Sequence, residues 1–178
     1  MSVDFQEQKM DAAGGSVLAW RTAVAAIFAL SGLTFASYLG RLPQVRDDLG
    51  ATTLQVSLLT FGLAVGSVVG LVGSGALAAR FGSRRVLAVT LPALGVTMIA
   101  AAAGAQVGNY ALTLIPLVFV GLSHGITDVC MNLSGAENER ALGRTVMPAF
   151  HAAFSMGTVA GALTAAAAQA AHVPCCRT

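Results

Sequence analysis

An all-α membrane protein with five transmembrane helices is the fold class that this sequence predicts, on three observations. Only 10% of its 178 residues are charged, against about 25% in a soluble domain. Mean hydropathy is +0.75. The charges also stand far enough apart to leave membrane-length apolar runs between them. Lipid replacing water around the helices accounts for all three.

The spans follow from the gaps between charges. Arg21 and Arg41 enclose 19 uncharged residues, Asp48 and Arg80 enclose 31, Arg85 and Asp128 enclose 42, and Arg144 and Arg177 enclose 32. A spanning helix needs about 20 apolar residues, because each residue rises about 1.5 Å across a hydrocarbon core of about 30 Å. The longest gap therefore holds two spans, divided at Gly104-Ala-Gln-Val-Gly-Asn109. The expected helices are 20–39, 54–79, 86–104, 110–133 and 146–171. Residues 1–19 read as a soluble arm. Asp4, Glu7 and Asp11 are set against Lys9 there, so the basic start of a secretory signal is missing. Residues 172–178 read as a short tail at a truncation end. A soluble bundle would need a polar face on every helix, and the 86–104 stretch has none.

Basic residues set the orientation. The arm and the second and fourth loops hold Lys9, Arg21, Arg80, Arg84, Arg85, Arg140 and Arg144; the first loop holds Arg41 and Arg46, and the third holds none. Positive charge stays on the cytoplasmic side, which puts the N-terminus there in the cell inner membrane. Glu137, Glu139, Arg140 and Arg144 read as a solvated connection. Gly62, Gly66 and Gly70, and again Gly157 and Gly161, recur every four residues and predict close helix packing. Cys130, Cys175 and Cys176 have no metal-ligand spacing, and no phosphate-binding glycine loop is present. A net charge of +2, scattered over loops, does not make a nucleic-acid surface.

Two motifs carry chemistry. The second loop reads Gly75-Ala-Leu-Ala-Ala-Arg80-Phe-Gly82-Ser-Arg84-Arg85. Gly82 permits a tight reversal, and Arg80, Arg84 and Arg85 hold the loop at an anionic lipid surface. The fourth span carries His124, Asp128 and Asn132, four residues apart and so on one helix face. An acid inside a span is expensive and by default marks a functional site. His151 on the fifth span is a further group that could share a proton. A structural polar cluster is the alternative reading of the stripe. Ser155, one turn after His151, with Asp128 elsewhere, raises a second alternative, an intramembrane hydrolase.

The second loop resembles the signature loop of the major facilitator superfamily, G-x-L-x-D-R-x-G-R-R, with Ala79 in place of the acid. In that family the acid helps latch the two halves together. The Asp128/Asn132 spacing is similar to the fucose-permease-like branch, where an acid in the fourth helix couples transport to protons. That branch has another acid before a proline at the end of the first helix. Here Pro43 is preceded by Tyr38-Leu-Gly-Arg41-Leu, so sugar specificity does not carry over. The fifth span lacks the proline of the family's antiporter motif, which favours symport.

The resemblance implies most of the N-terminal six-helix half of a secondary transporter for a small solute. It would be driven by the proton gradient, with no cofactor and no metal. Asp128 and His124 would couple protons, and Asn132, His151, Tyr38 and Arg41 would contact substrate. Lipid is the expected partner, and the remaining helices would be needed for transport. A non-transporting assembly protein or pseudogene product is the remaining alternative.

Overall fold

The computed structural model describes residues 2–170, with side chains from residue 17 onward. It is all-helical over that range: α1 (Ser2–Gly40), α2 (Leu42–Leu49), α3 (Thr53–Phe81), α4 (Ser83–Gln106), α5 (Tyr110–Leu142) and α6 (Met147–Ala170). Five segments are long and apolar enough to cross a membrane: Val17–Gly40, α3, α4, α5 and α6. Their outer faces expose large apolar side chains such as Phe61, Val72, Val89, Ile99 and Leu163. A water-soluble bundle would not tolerate such a girdle.

The structure adds to the expected helices in three places. The backbone of the arm continues α1 as helix from Ser2. A short helix, α2, follows the first span, starts with Pro43 in its first turn and stops at Gly50, whose φ is 58°. The fourth span runs on to Leu142, so Glu137, Glu139 and Arg140 lie on the last turns of α5. This corrects the reading of those charges as a connecting loop. The connection itself is only 143–146. The end of the last expected span and the tail with Cys175 and Cys176 lie outside the described residues.

Local chemistry fixes the helix ends. Thr52 and Gln55 form a reciprocal capping box at the start of α3, with Gln55 N donating to Thr52 Oγ1 at 3.3 Å and Thr52 N to Gln55 Oε1 at 2.9 Å. Asn109 Oδ1 accepts from Leu112 N at 3.1 Å and starts α5. Glu139 Oε2 accepts from Val146 N and Met147 N at 2.8 and 2.9 Å, satisfying two donors at the head of α6 from the preceding helix.

Packing is organised by two interfaces that repeat each other. α3 packs chiefly on α5, and α6 chiefly on α1. The buried residues of α3 are Leu59, Gly66, Gly70 and Ser74; those of α6 are Phe150, Gly157, Gly161 and Ala165, each 91 positions later. The buried residues of α1 are Val24, Phe28, Ser31, Gly32, Ala36 and Tyr38. Each is matched 89 positions later by a buried residue of α5: Thr113, Leu117, Val120, Gly121, Gly125 and Thr127. Even the backbone contacts correspond. A Cβ on Gly66 or Gly70 would strike the carbonyl of Val118 or Leu122, and one on Gly157 or Gly161 would strike that of Ala29 or Leu33. A Cβ on Gly121 would strike the carbonyl of Leu63, and one on Gly32 that of Phe154.

The chain is thus an internal duplication. Three spans lie between the starts of the two copies, so the second enters the membrane from the opposite side. α2 matches the last turns of α5. The pseudo-twofold relation brings Phe35 against its own counterpart, His124: their rings stack with centroids 5.2 Å apart and planes 7° apart.

The glycines make a direct test. Gly121→Ala or Gly157→Ala should destabilise the chain in detergent by about 1–3 kcal/mol, the usual cost of overpacking. Gly75→Ala, which meets open space, should leave it unchanged. Reversible SDS-titrated unfolding followed by circular dichroism reads the difference.

Candidate functional site

The polar stripe of α5 is real in three dimensions, but its members are engaged differently. His124, Asp128 and Asn132 are all half-buried. His124 is covered by Phe35 and lies within electrostatic range of Asp128. Asn132 Nδ2 donates to the backbone carbonyl of Asp128 at 2.8 Å, so its amide is tied to its own helix. The carboxylate of Asp128 makes no hydrogen bond or ion pair among the described residues. A purely structural acid would be expected to have such a partner.

A small cavity of about 10 Å³ lies beside His124, lined also by Thr34, Phe35, Tyr38, Leu63 and Met98. That is room for about one water molecule. It is too small for a solute.

The other candidate residues separate into different regions. His151 is exposed, with Nδ1 3.0 Å from the carbonyl of Met147 and its ring edge-on to Phe28 at 5.5 Å. Ser155 donates to the carbonyl of His151 at 3.0 Å, so the hydroxyl is bonded to backbone and not to an imidazole. The serine–base contact that a hydrolase needs is therefore not formed. Tyr38 and Arg41 line a cleft of about 260 Å³ with Val45, Met98 and Ile99, at the end of the bundle away from the Arg-rich loop. The structure does not bring them together with Asn132 and His151 in one pocket.

The signature loop is shorter than its sequence suggests. Gly82 alone separates α3 from α4, with φ 81° and ψ 142°, a conformation that L side chains rarely adopt. Arg80 sits over the Phe81 ring at 5.3 Å. Arg84 lines a large cleft, about 740 Å³, with Trp20, Leu87, Ser134 and Glu137. Arg85 is exposed. Gly75 is exposed within α3.

Sequence reasoning missed three contacts. Phe35 on His124 was legible only through the 89-residue repeat. Glu139 as the cap of α6 is foreshadowed by an acid a few residues before a helix start. Thr127 Oγ1 donating to Thr90 Oγ1 at 2.9 Å, buried between α5 and α4, has no signal in either helix alone.

Two relatives resemble the chain. An uncharacterized transporter of Sinorhizobium fredii is 32% identical over 144 residues, covering 80% of this chain and 37% of the relative. An uncharacterized MFS-type transporter of Yersinia pestis is 31% identical over 135 residues, covering 76% of this chain and 34% of the relative. No family model matches the chain, and no solved structure matches it significantly.

If Asp128 is poised for function, Asp128→Asn should change the unfolding free energy of this chain by less than about 0.5 kcal/mol, as at a site without partners. A loss well above 1 kcal/mol in the same SDS titration would mark it as structural. The described bundle spans about a third of the length of the curated relatives it matches, and over that third it resembles proteins named as transporters.

Proposed function

We propose that the chain is the leading part of a proton-coupled secondary transporter of the major facilitator superfamily, in its fucose-permease-like branch. The observation that carries this reading is Asp128: a half-buried acid in a span, on one stripe with His124 and Asn132, without a bonded partner. The relatives' names and the Gly82/Arg84/Arg85 turn support the family.

The mechanism is alternating access powered by the proton gradient. Asp128 takes a proton when its cavity faces the acidic side. His124, in electrostatic range and next to a water-sized cavity, shares or passes it. Protonation removes a charge from the membrane interior, which lowers the cost of the closed state. The neutral site then reorients against the rest of the transporter and releases both proton and solute. Asn132 and His151 are candidates for solute contact; Arg41 lines the separate cleft, and Tyr38 lines both that cleft and the cavity beside His124. Symport is the proposed direction.

The Arg-rich end faces the cytoplasm and the N-terminus lies with it, in the cell inner membrane. Lipid and a small solute are the partners, and the further helices of a complete transporter are required for uptake. The hydrolase reading has lost its serine–histidine contact. A non-transporting assembly role is read out by the same experiment as transport.

In a full-length version carrying these spans, Asp128→Asn should abolish proton-driven uptake while leaving membrane insertion intact. Normal accumulation by that variant would sink the assignment. Orientation has its own check: a cysteine placed at Asn109 should react with an impermeant maleimide in intact cells, and one at Arg85 should not.

A further inference from the structure

The two copies of the duplication meet at one pair of side chains. Phe35 lies on α1 and His124 lies 89 positions later on α5, so each is the other's equivalent. Residues related by a twofold meet at its axis, and these two do: their rings are 7° from parallel, with centroids 5.2 Å apart. Near-parallel rings at that spacing are offset, with the edge of one over the face of the other. Both side chains are half-buried. Where the packing scheme calls for two equivalent residues, the chain has one apolar ring and one ring that can take a proton.

His124 has few other means of holding a charge. Its ring nitrogens make no hydrogen bond among the described residues. Around it stand Thr34, Phe35 and Tyr38 from α1, Leu63 from α3, and Leu94 and Met98 from α4. Of these only Tyr38 titrates, and a phenol stays neutral across the range in which an imidazole titrates. The charged neighbour is Asp128, one turn along α5 and in electrostatic range. α6 packs chiefly on α1 and brings His151 against Phe28, two turns from Phe35. A cation without a hydrogen-bonded partner inside a span is costly. The Phe35 ring offsets part of that cost, because an aromatic face is negative and attracts a cation within about 6 Å of its centroid.

We propose that Phe35 is a positioning residue for the coupled proton: its ring face stabilises the His124 imidazolium at the pseudo-twofold axis, so that the proton taken by Asp128 has a second resting place on α5. The inference rests on the reading of Asp128 as the coupling acid. As the proton passes, the O–H bond of the Asp128 carboxyl breaks and an N–H bond forms on the His124 ring. A neutral pair becomes a carboxylate and an imidazolium one turn apart, and its net charge is unchanged. Phe35 favours only the second arrangement, since its attraction is to the cation. Leucine at position 35 would keep the apolar cover and lose that attraction. A ring that merely covered His124 would act in the opposite sense, because excluding water disfavours the charged form.

The imidazole titrates in this chain whether or not it transports, so the test is made on the chain in nanodiscs. Its three histidines, His124, His151 and His172, are labelled in the ring and followed by NMR against pH. His151→Gln and His172→Gln assign the signals. Phe35→Leu should move the His124 midpoint towards acid by about half a unit, the threefold loss of proton affinity that one cation–π contact represents. Phe35→Met, a second aliphatic replacement of similar size, should do the same. Phe35→Tyr keeps an aromatic face and should titrate like the native chain. His151, whose ring meets Phe28, should not move in any of the three. A native His124 that stays neutral throughout, an unmoved midpoint in Phe35→Leu, a move towards alkali, or an equal shift of His151 would each overturn the role of Phe35. None of these midpoints depends on the uptake assay of Asp128→Asn, so the coupling acid and the positioning ring fail separately.

Discussion

Backbone meeting backbone at glycine is the constraint on which the rest of the structure depends. Lipid gives helices no hydrophobic reason to associate, so packing must come from close van der Waals approach. Gly66, Gly70, Gly121 and Gly125 bring α3 and α5 close enough that any side chain would collide with a carbonyl. Gly32, Gly157 and Gly161 do the same for α1 and α6. Once these two crossings are fixed, α1 and α5 must meet at the centre, and they meet at Phe35 and His124. The ionisable part of the candidate site is therefore positioned by residues that carry no chemistry of their own.

Much of the fold was legible because the bilayer simplifies the code. Charge gaps located all five spans, since a charge inside lipid is costly whatever the tertiary structure. The glycine rows at every fourth residue announced close packing, but not the partner. The partner was in the sequence as well: Gly66-Ser-Val-Val-Gly70 and Gly157-Thr-Val-Ala-Gly161 are 91 residues apart and read almost alike. α2 was not legible, because an eight-residue amphipathic turn next to Pro43 looks like a loop by composition. The length of α5 was missed for a related reason. Its last turns leave the apolar run and carry Glu137, Glu139 and Arg140, and a helix held by a tertiary cap need not end where hydrophobicity ends.

The site was legible in its residues and not in its grouping. Helical spacing put His124, Asp128 and Asn132 on one stripe, and they lie there. Spacing could not tell that Asn132 would spend its amide on the Asp128 carbonyl, or that Tyr38 and Arg41 would face α4. Those outcomes depend on which side of α1 turns towards which neighbour. The 89-residue relation makes the point concrete. The position equivalent to Asp128 is Leu39, so the two copies share a packing scheme and differ in chemistry. Only one copy bears an acid at that position.

That asymmetry bears on how a symmetric scaffold can couple to protons. If both copies carried an acid near the pseudo-twofold centre, each charge would raise the cost of the other, and neither state of the bundle would be favoured by protonation. One acid one turn from one histidine puts the ionisable pair on one side of the Phe35–His124 stack. On the proposed reading, its charge would distinguish the two states of alternating access. A ligand or proton can shift such an equilibrium only by its differential interaction with the two states. In the proposed mechanism that difference would be carried by a carboxylate with no bonded partner, inside a bundle whose close helix crossings are set by backbone contact at glycine.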